Sequence, residues 1–87
     1  MIYSPGPWLV KASSIQAIDH GTKYTIARVG NPKLSAEGVA GNAKLIAAAP
    51  DLLTAAQLAL ENLSPMYSID HIVIKQLKLA ISKAGAL

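Results

Sequence analysis

Between Trp8 and Val29 short strand-like segments, with period-two alternation clearest over residues 24–29, are separated by turn residues, and beyond Ala40 apolar side chains recur every three to four residues, the period of a helix. Ahead of this region, Ser4-Pro5-Gly6-Pro7 holds two prolines and a glycine, which leaves it extended or turning. Residues 8–12 read as a first strand, with Trp8, Val10 and Ala12 on one face and Leu9 and Lys11 on the other. After a bend at Ser13-Ser14, residues 15–18 form a second short strand. Asp19-His20-Gly21-Thr22 supplies turn chemistry, and residues 24–29 form the clearest strand, β-branched and aromatic. Simple alternation places Tyr24, Ile26 and Arg28 on one side of it and Thr25, Ala27 and Val29 on the other. A three-stranded antiparallel meander is the economical arrangement of these segments.

Gly30-Asn31-Pro32 ends the sheet, and a transition into helix begins at Ser35 or Gly38. Residues 40–49 are strong helix formers. Pro50 then lacks an N–H and clashes with the preceding turn, so it either kinks one helix or opens a second. Asp51 beside it suits a helix N-terminus and favours a new helix over residues 50–63. Leu53, Ala56, Leu60 and Leu63 form its core stripe, widened by Leu52, Ala55 and Ala59. Ser64-Pro65 stops it. Ser68 serves as N-cap of a last helix over residues 69–84, closed by Gly85. Ile69, Val73, Leu77, Ala80 and Ala84 make its expected core stripe, while Ile72, Ile74, Leu79 and Ile81 spread apolar surface almost all round. The predicted fold class is α+β: a small three-stranded antiparallel β-meander followed by two or three α-helices packed on it. Residues 1–87 make a single domain, with the meander over 1–30 and the helical part over 38–87.

Composition adds one strong expectation. At 87 residues the chain is near the lower end of what folds alone, and it has no cysteine to supply a disulfide or a thiolate-metal site. Hydrophobic residues make up 52% and charged residues 15%, against about 25% charged in an average domain. So few charges cannot cover so much apolar surface, which predicts a homo-oligomer. The net charge of +3 suits an anionic ligand, but seven of the eight cations are lysine and Arg28 is the only arginine. That scarcity disfavours sequence-specific nucleic-acid readout, which relies on bidentate arginine. No leader-like or membrane-length apolar stretch stands out, so the expected location is the cytoplasm, with no membrane partner.

Motifs that carry chemistry are scarce. His20 and His71 lie in different elements with no cysteine nearby, so no metal and no cofactor is expected. No serine occupies a nucleophile elbow and the five acids are scattered, which argues against an enzyme. The stretch Gly38-Val39-Ala40-Gly41-Asn42-Ala43-Lys44 lacks the phosphate-loop spacing. Read as a helix start, it still offers backbone N–H groups, with Asn42 and Lys44 as anion-binding candidates. On the sheet, Trp8 and Tyr24 with Arg28 nearby form the second candidate, an aromatic platform beside a cation. Against both readings, glycines at a helix start also permit close packing, and the only tryptophan of a chain without phenylalanine suits a core. The stripe of His71, Lys75, Lys78 and Ser82 reads as a solvated face.

Two segments together resemble a known family. Pro5-Gly6-Pro7-Trp8, followed by Gly41-Asn42-Ala43-Lys44-Leu45-Ile46-Ala47-Ala48-Ala49-Pro50-Asp51-Leu52-Leu53, is similar to small proteins encoded by tailed phages and prophages. In these a "PGPW" opening leads a variable β segment, then an "NA-[RK]-LIAAAPDLL" helix and a further helix. The resemblance implies an accessory, non-virion phage protein acting in the bacterial host cytoplasm, and it transfers no catalytic residue. With the oligomer-prone composition and mild basicity, it leads to an expected counter-defence role: sequestering a small nucleotide-type immune signal as a homo-oligomer. Two alternatives stay open: an anti-CRISPR-like inhibitor directed at a host defence protein, and a small regulatory nucleic-acid-binding protein.

Overall fold

Three short strands pair in chain order into an antiparallel sheet: β1 (Trp8–Lys11), β2 (Ser14–Asp19) and β3 (Thr22–Arg28). Three helices follow among the described residues: α1 (Ala36–Ala47), α2 (Ala49–Leu63) and α3 (Ile72–Lys83). The fold is therefore α+β, in this computed structural model that describes residues 3–86. The chain forms two compact units, Met1–Asp51 and Leu52–Leu87. The boundary leaves α1 with the sheet, because α1 packs against β1 and β2.

Both hairpin turns have two residues. At the β2–β3 turn His20 and Gly21 take φ of 50° and 81°, the paired positive values that match a turn to the right-handed twist of its strands. Ala12 is not the end of β1, as alternation suggested; it sits in the β1–β2 turn with φ of 55°. An alanine in that conformation crowds its Cβ against the following carbonyl.

The register contains one irregularity. Gln16 opposes Thr25 while Ile15 opposes Ala27, so Ile26 is an extra residue in β3. Such a bulge reverses the alternation beyond it. Directly opposed residues share a face. Trp8, Ala17 and Tyr24 therefore point to one side, with Val10, Ile15 and Ala27, while Arg28, opposite Ser14, points to the other. The expected sharing of a face by Tyr24 and Arg28 is corrected by this single inserted residue.

Helix α1 covers the first of these faces. Ile15, Ala17 and Ala43 are fully enclosed, and Val39 and Ala47 continue the inward stripe of α1 at four-residue spacing. Ser35 caps the helix, its Oγ accepting the Gly38 N–H at 3.1 Å. The proline question resolves as two helices. Ala48 closes α1, its N–H bonded to the Lys44 carbonyl at 3.0 Å, and Pro50 lies in the first turn of α2.

In the second unit the expected core stripe of α2 holds at Leu53, Ala56, Leu60 and Leu63, which are half-buried like Ala59, whereas Leu52 and Ala55, expected to widen it, are exposed. Helix α3 departs from expectation twice. Its N-cap is His71, whose Nδ1 accepts the Val73 N–H at 3.2 Å. Ser68 instead closes a separate turn, its Oγ accepting the Asp70 N–H at 3.1 Å and its carbonyl the His71 N–H at 2.9 Å. The buried residues are Ile74 and Ile81 with Leu77 half-buried, whereas Ile69 is 65% and Val73 41% exposed, and Ala80 and Ala84 are exposed. The helix is apolar around most of its circumference, so period alone set the helix but not its inward side. The true stripe lies about a quarter turn from the expected one. Gly85, at φ 76°, ends α3 as expected: its N–H reaches the Ser82 carbonyl and that of Ala86 reaches Ile81.

Candidate functional site

The two segments that carry the family resemblance meet in space. Gly6 lies against Pro50, so closely that a Cβ added to Gly6 would stand 2.7 Å from the Pro50 Cβ. Ser4, two residues earlier, bridges the aromatic pair. The Trp8 indole Nε1 donates to the Ser4 carbonyl at 3.0 Å and the Tyr24 hydroxyl donates to Ser4 Oγ at 3.4 Å. Between Trp8 and Tyr24 on the same face stands Ala17, fully buried. The expected pairing of Trp8 with Tyr24 on one face is present. Their polar ends, however, are engaged by the chain's own N-terminal segment, which makes the pair a latch for residues 4–7.

The opposite, outer face of the sheet has a different character. The rungs across it read Lys11–Ser14–Arg28, then Leu9–Gln16–Thr25, then Ile18 beside Lys23. Lys11, Lys23, Thr25 and Arg28 are exposed, and Ser14 and Gln16 are half-buried. No carboxylate belongs to these rungs; Asp19 lies at the hairpin end, where it pairs with His20 at 2.8 Å. Among the described residues the one lysine–carboxylate pair joins Lys75 to Asp70 at 4.0 Å, in the second unit. Lys11, Lys23 and Arg28 thus present a one-signed face with hydrogen-bonding side chains between them. The bulge at Ile26 is what brings Arg28 to it.

Asn42 and Lys44 lie elsewhere. Because α1 starts at Ala36, residues 38–44 are inside the helix rather than ahead of it, and their backbone N–H groups are committed to the cap and the helical ladder. Lys44 falls in the last turn, about 12 Å along the axis from the first residue. Both side chains are exposed on either side of the inward-facing Ala43. The anion site expected at a glycine-rich helix start is therefore not assembled. Of the five sequence candidates, Trp8 and Tyr24 come together, Arg28 joins Lys11 and Lys23 on the other face, and Asn42 and Lys44 stand apart on α1.

Open clefts are also present among the described residues of the second unit. One, of about 350 Å³, is lined by Gln57, Leu60, Glu61, Ile81 and Ala86; another, of about 210 Å³, is lined by Ser64, Tyr67, Ile69, Ile74 and Lys78. The first has a carboxylate as its only charge and the second a single lysine, so neither concentrates positive charge as the sheet does. Among the described residues no group of three or more His, Asp or Glu side chains is placed to hold a metal ion. No single helix among them is long and apolar enough to cross a membrane.

A small meander latched by its own N-terminal segment, one helix laid on the sheet and a following helical unit define the class: a small α+β protein whose two motif segments close on each other. The chain belongs to the family of Salmonella phage P22 protein Y8K6, whose family model matches residues 1–86. It is thus a member of a small phage protein family, as the two motif segments implied. No curated protein and no solved structure matches the chain.

Proposed function

We propose that this is an accessory phage protein that acts by binding rather than by catalysis: a homo-oligomer that sequesters a small nucleotide-type immune signal of the bacterial host. The observation that carries this reading is the surface of the second unit. Among its described residues Ile74 and Ile81 are the fully enclosed ones, while Ile69, Ile72 and Leu79 around α3 and Leu58 on α2 remain more than half exposed. Side chains of this size gain about 1.5–3 kcal/mol each when fully buried. Covering several of them in an assembly contributes enough to offset the ordering cost of association. The net charge of +3 sets the sign of the cargo. Occupancy by a phage protein present in many copies needs no catalytic group.

Native mass spectrometry of the protein from cells making cyclic dinucleotide or ADP-ribose-type signals tests both halves. A defined oligomer that carries an excess of a few hundred daltons per site supports the reading. A monomer at micromolar concentration overturns the assembly. An oligomer that retains none of these nucleotides, and binds none when they are added, overturns the cargo.

A further inference from the structure

We infer that the outer face of the sheet is the ligand-binding surface, and that it takes a small molecule carrying two phosphate groups. This rests on the proposal that the cargo is nucleotide-like, and it assigns that cargo a place.

Four observations converge on this face. Helix α1 occupies the inner face of the sheet, while Lys11, Lys23, Thr25 and Arg28 on the outer face are exposed. Its three cations have no ion-pair or hydrogen-bond partner among the described residues. They are not neutralised by any acid on the same rungs, so their potentials add. Finally, the bulge spends an unpaired residue in a seven-residue strand, and its consequence is to turn Arg28 outward. Bulges that re-aim a side chain in this way are over-represented beside binding and catalytic sites.

The spacing sets the ligand. Lys11 and Arg28 flank Ser14 from the two outer strands, which places their backbones about 10 Å apart, two strand separations. Long flexible side chains at that distance can converge on one phosphate, with the Ser14 hydroxyl between them as a further donor. Lys23 pairs with Ile18, four residues along β2 from Ser14, or about 13 Å away. The rung between, Leu9–Gln16–Thr25, offers an amide, a hydroxyl and one apolar side chain. A phosphate at the Lys11–Arg28 end and a second toward Lys23 would lay the rest of the molecule across that rung. A monophosphate reaches only one end. Among the described residues these rungs carry no aromatic side chain, so the recognition is assigned to the phosphates.

The test is titration of the isotopically labelled full-length chain, followed by amide NMR, with inorganic pyrophosphate and separately with cyclic di-AMP. Shifts concentrated at Lys11, Ser14, Gln16, Thr25 and Arg28 are expected, with tighter binding of the dinucleotide. Lys11→Ala and Arg28→Ala should each weaken it about fivefold to tenfold, the loss of roughly one charge-assisted contact on an open face. Lys83→Ala, on α3, should leave it unchanged. Binding that survives both sheet variants, or shifts confined to the helices, would place the site elsewhere while leaving sequestration standing. Nucleotide captured in the mass spectrometer with unmoved sheet resonances has the same meaning. Tighter binding of an oligothymidylate than of the dinucleotide would overturn the small-ligand assignment.

Discussion

Replacing Gly6 by alanine tests the contact that joins the two motif segments. Gly6 is not held at a positive φ, so alanine meets no backbone strain there, and its effect on the folded state comes from space. The added Cβ would stand 2.7 Å from Pro50 Cβ and 3.2 Å from its Cγ. Carbon atoms in contact prefer about 3.5–4.0 Å, so either the N-terminal segment or the start of α2 has to move by close to 1 Å. Pro50 is a ring fixed on a helix and cannot swing aside. Overpacking of this kind costs about 1–3 kcal/mol, and stiffening of the unfolded chain by alanine returns about 0.4–1 kcal/mol. The net loss expected is about 1–2 kcal/mol. For a chain of this size each kcal/mol lowers the melting temperature by roughly 4–8 °C. The assay is thermal and urea unfolding, with Gly41→Ala as control. Gly41 lies inside α1 with nothing within 4 Å of an added Cβ, so that variant should gain about 1 kcal/mol from helix propensity. A Pro50→Gly background removes the opposing Cβ, and there the Gly6→Ala penalty should largely vanish. Gly6→Ala that melts at or above the wild-type temperature, or costs the same with Pro50 and with Gly at position 50, would refute the contact.

Ala12→Gly relieves a residue held at φ 55° and should stabilise the protein by about 0.5–1 kcal/mol in urea unfolding; a loss would place Ala12 back in the strand. His71→Asp replaces an uncommon N-cap by a preferred one that also suits the helix dipole, and should raise stability by about 0.5–1 kcal/mol. Ile81→Ala empties a fully enclosed position and should cost about 2–4 kcal/mol, whereas an effect under 1 kcal/mol would restore the stripe through Val73 and Ala80 as the core. Ile72→Lys with Leu79→Lys charges two exposed apolar positions. It should leave the far-ultraviolet spectrum intact and, if the proposed assembly forms through this surface, shift it toward monomer in light scattering.

The legible parts of this fold were those set by local chemistry. The positive-φ pair at His20-Gly21, the glycine that closes α3 and the proline that opens α2 each follow from what one or two residues can do with their own backbone. The illegible parts were choices between equivalent patterns. On α3 two apolar arcs satisfy the same period, and only neighbours decide between them. In β3 the run Tyr24 to Val29 alternates well enough to hide an inserted residue, since Ile26 and Ala27 are both apolar and both half-buried. At α1 the sequence allowed a start at Ser35 or at Gly38, and the Ser35 side chain, which accepts the Gly38 N–H, decides for the first.

That hidden insertion separates two kinds of residue. Pro5-Gly6-Pro7-Trp8 and the segment through Pro50 serve the latch: Trp8 is tied to Ser4, and Gly6 is pressed on Pro50. None of the outer-face cations belongs to either segment; Lys11, Lys23 and Arg28 all fall between them in the chain. The proposed binding face is carried on the intervening strands, so it can change its cations without loosening the contact between the two motif segments. The latch and the face should therefore respond independently. Gly6→Ala should lower the melting temperature without altering dinucleotide affinity below the transition, and Arg28→Ala should do the reverse. Coupling of the two, with loss of affinity in folded Gly6→Ala or a melting change beyond about 3 °C in Arg28→Ala, would show that the anchor is part of the site.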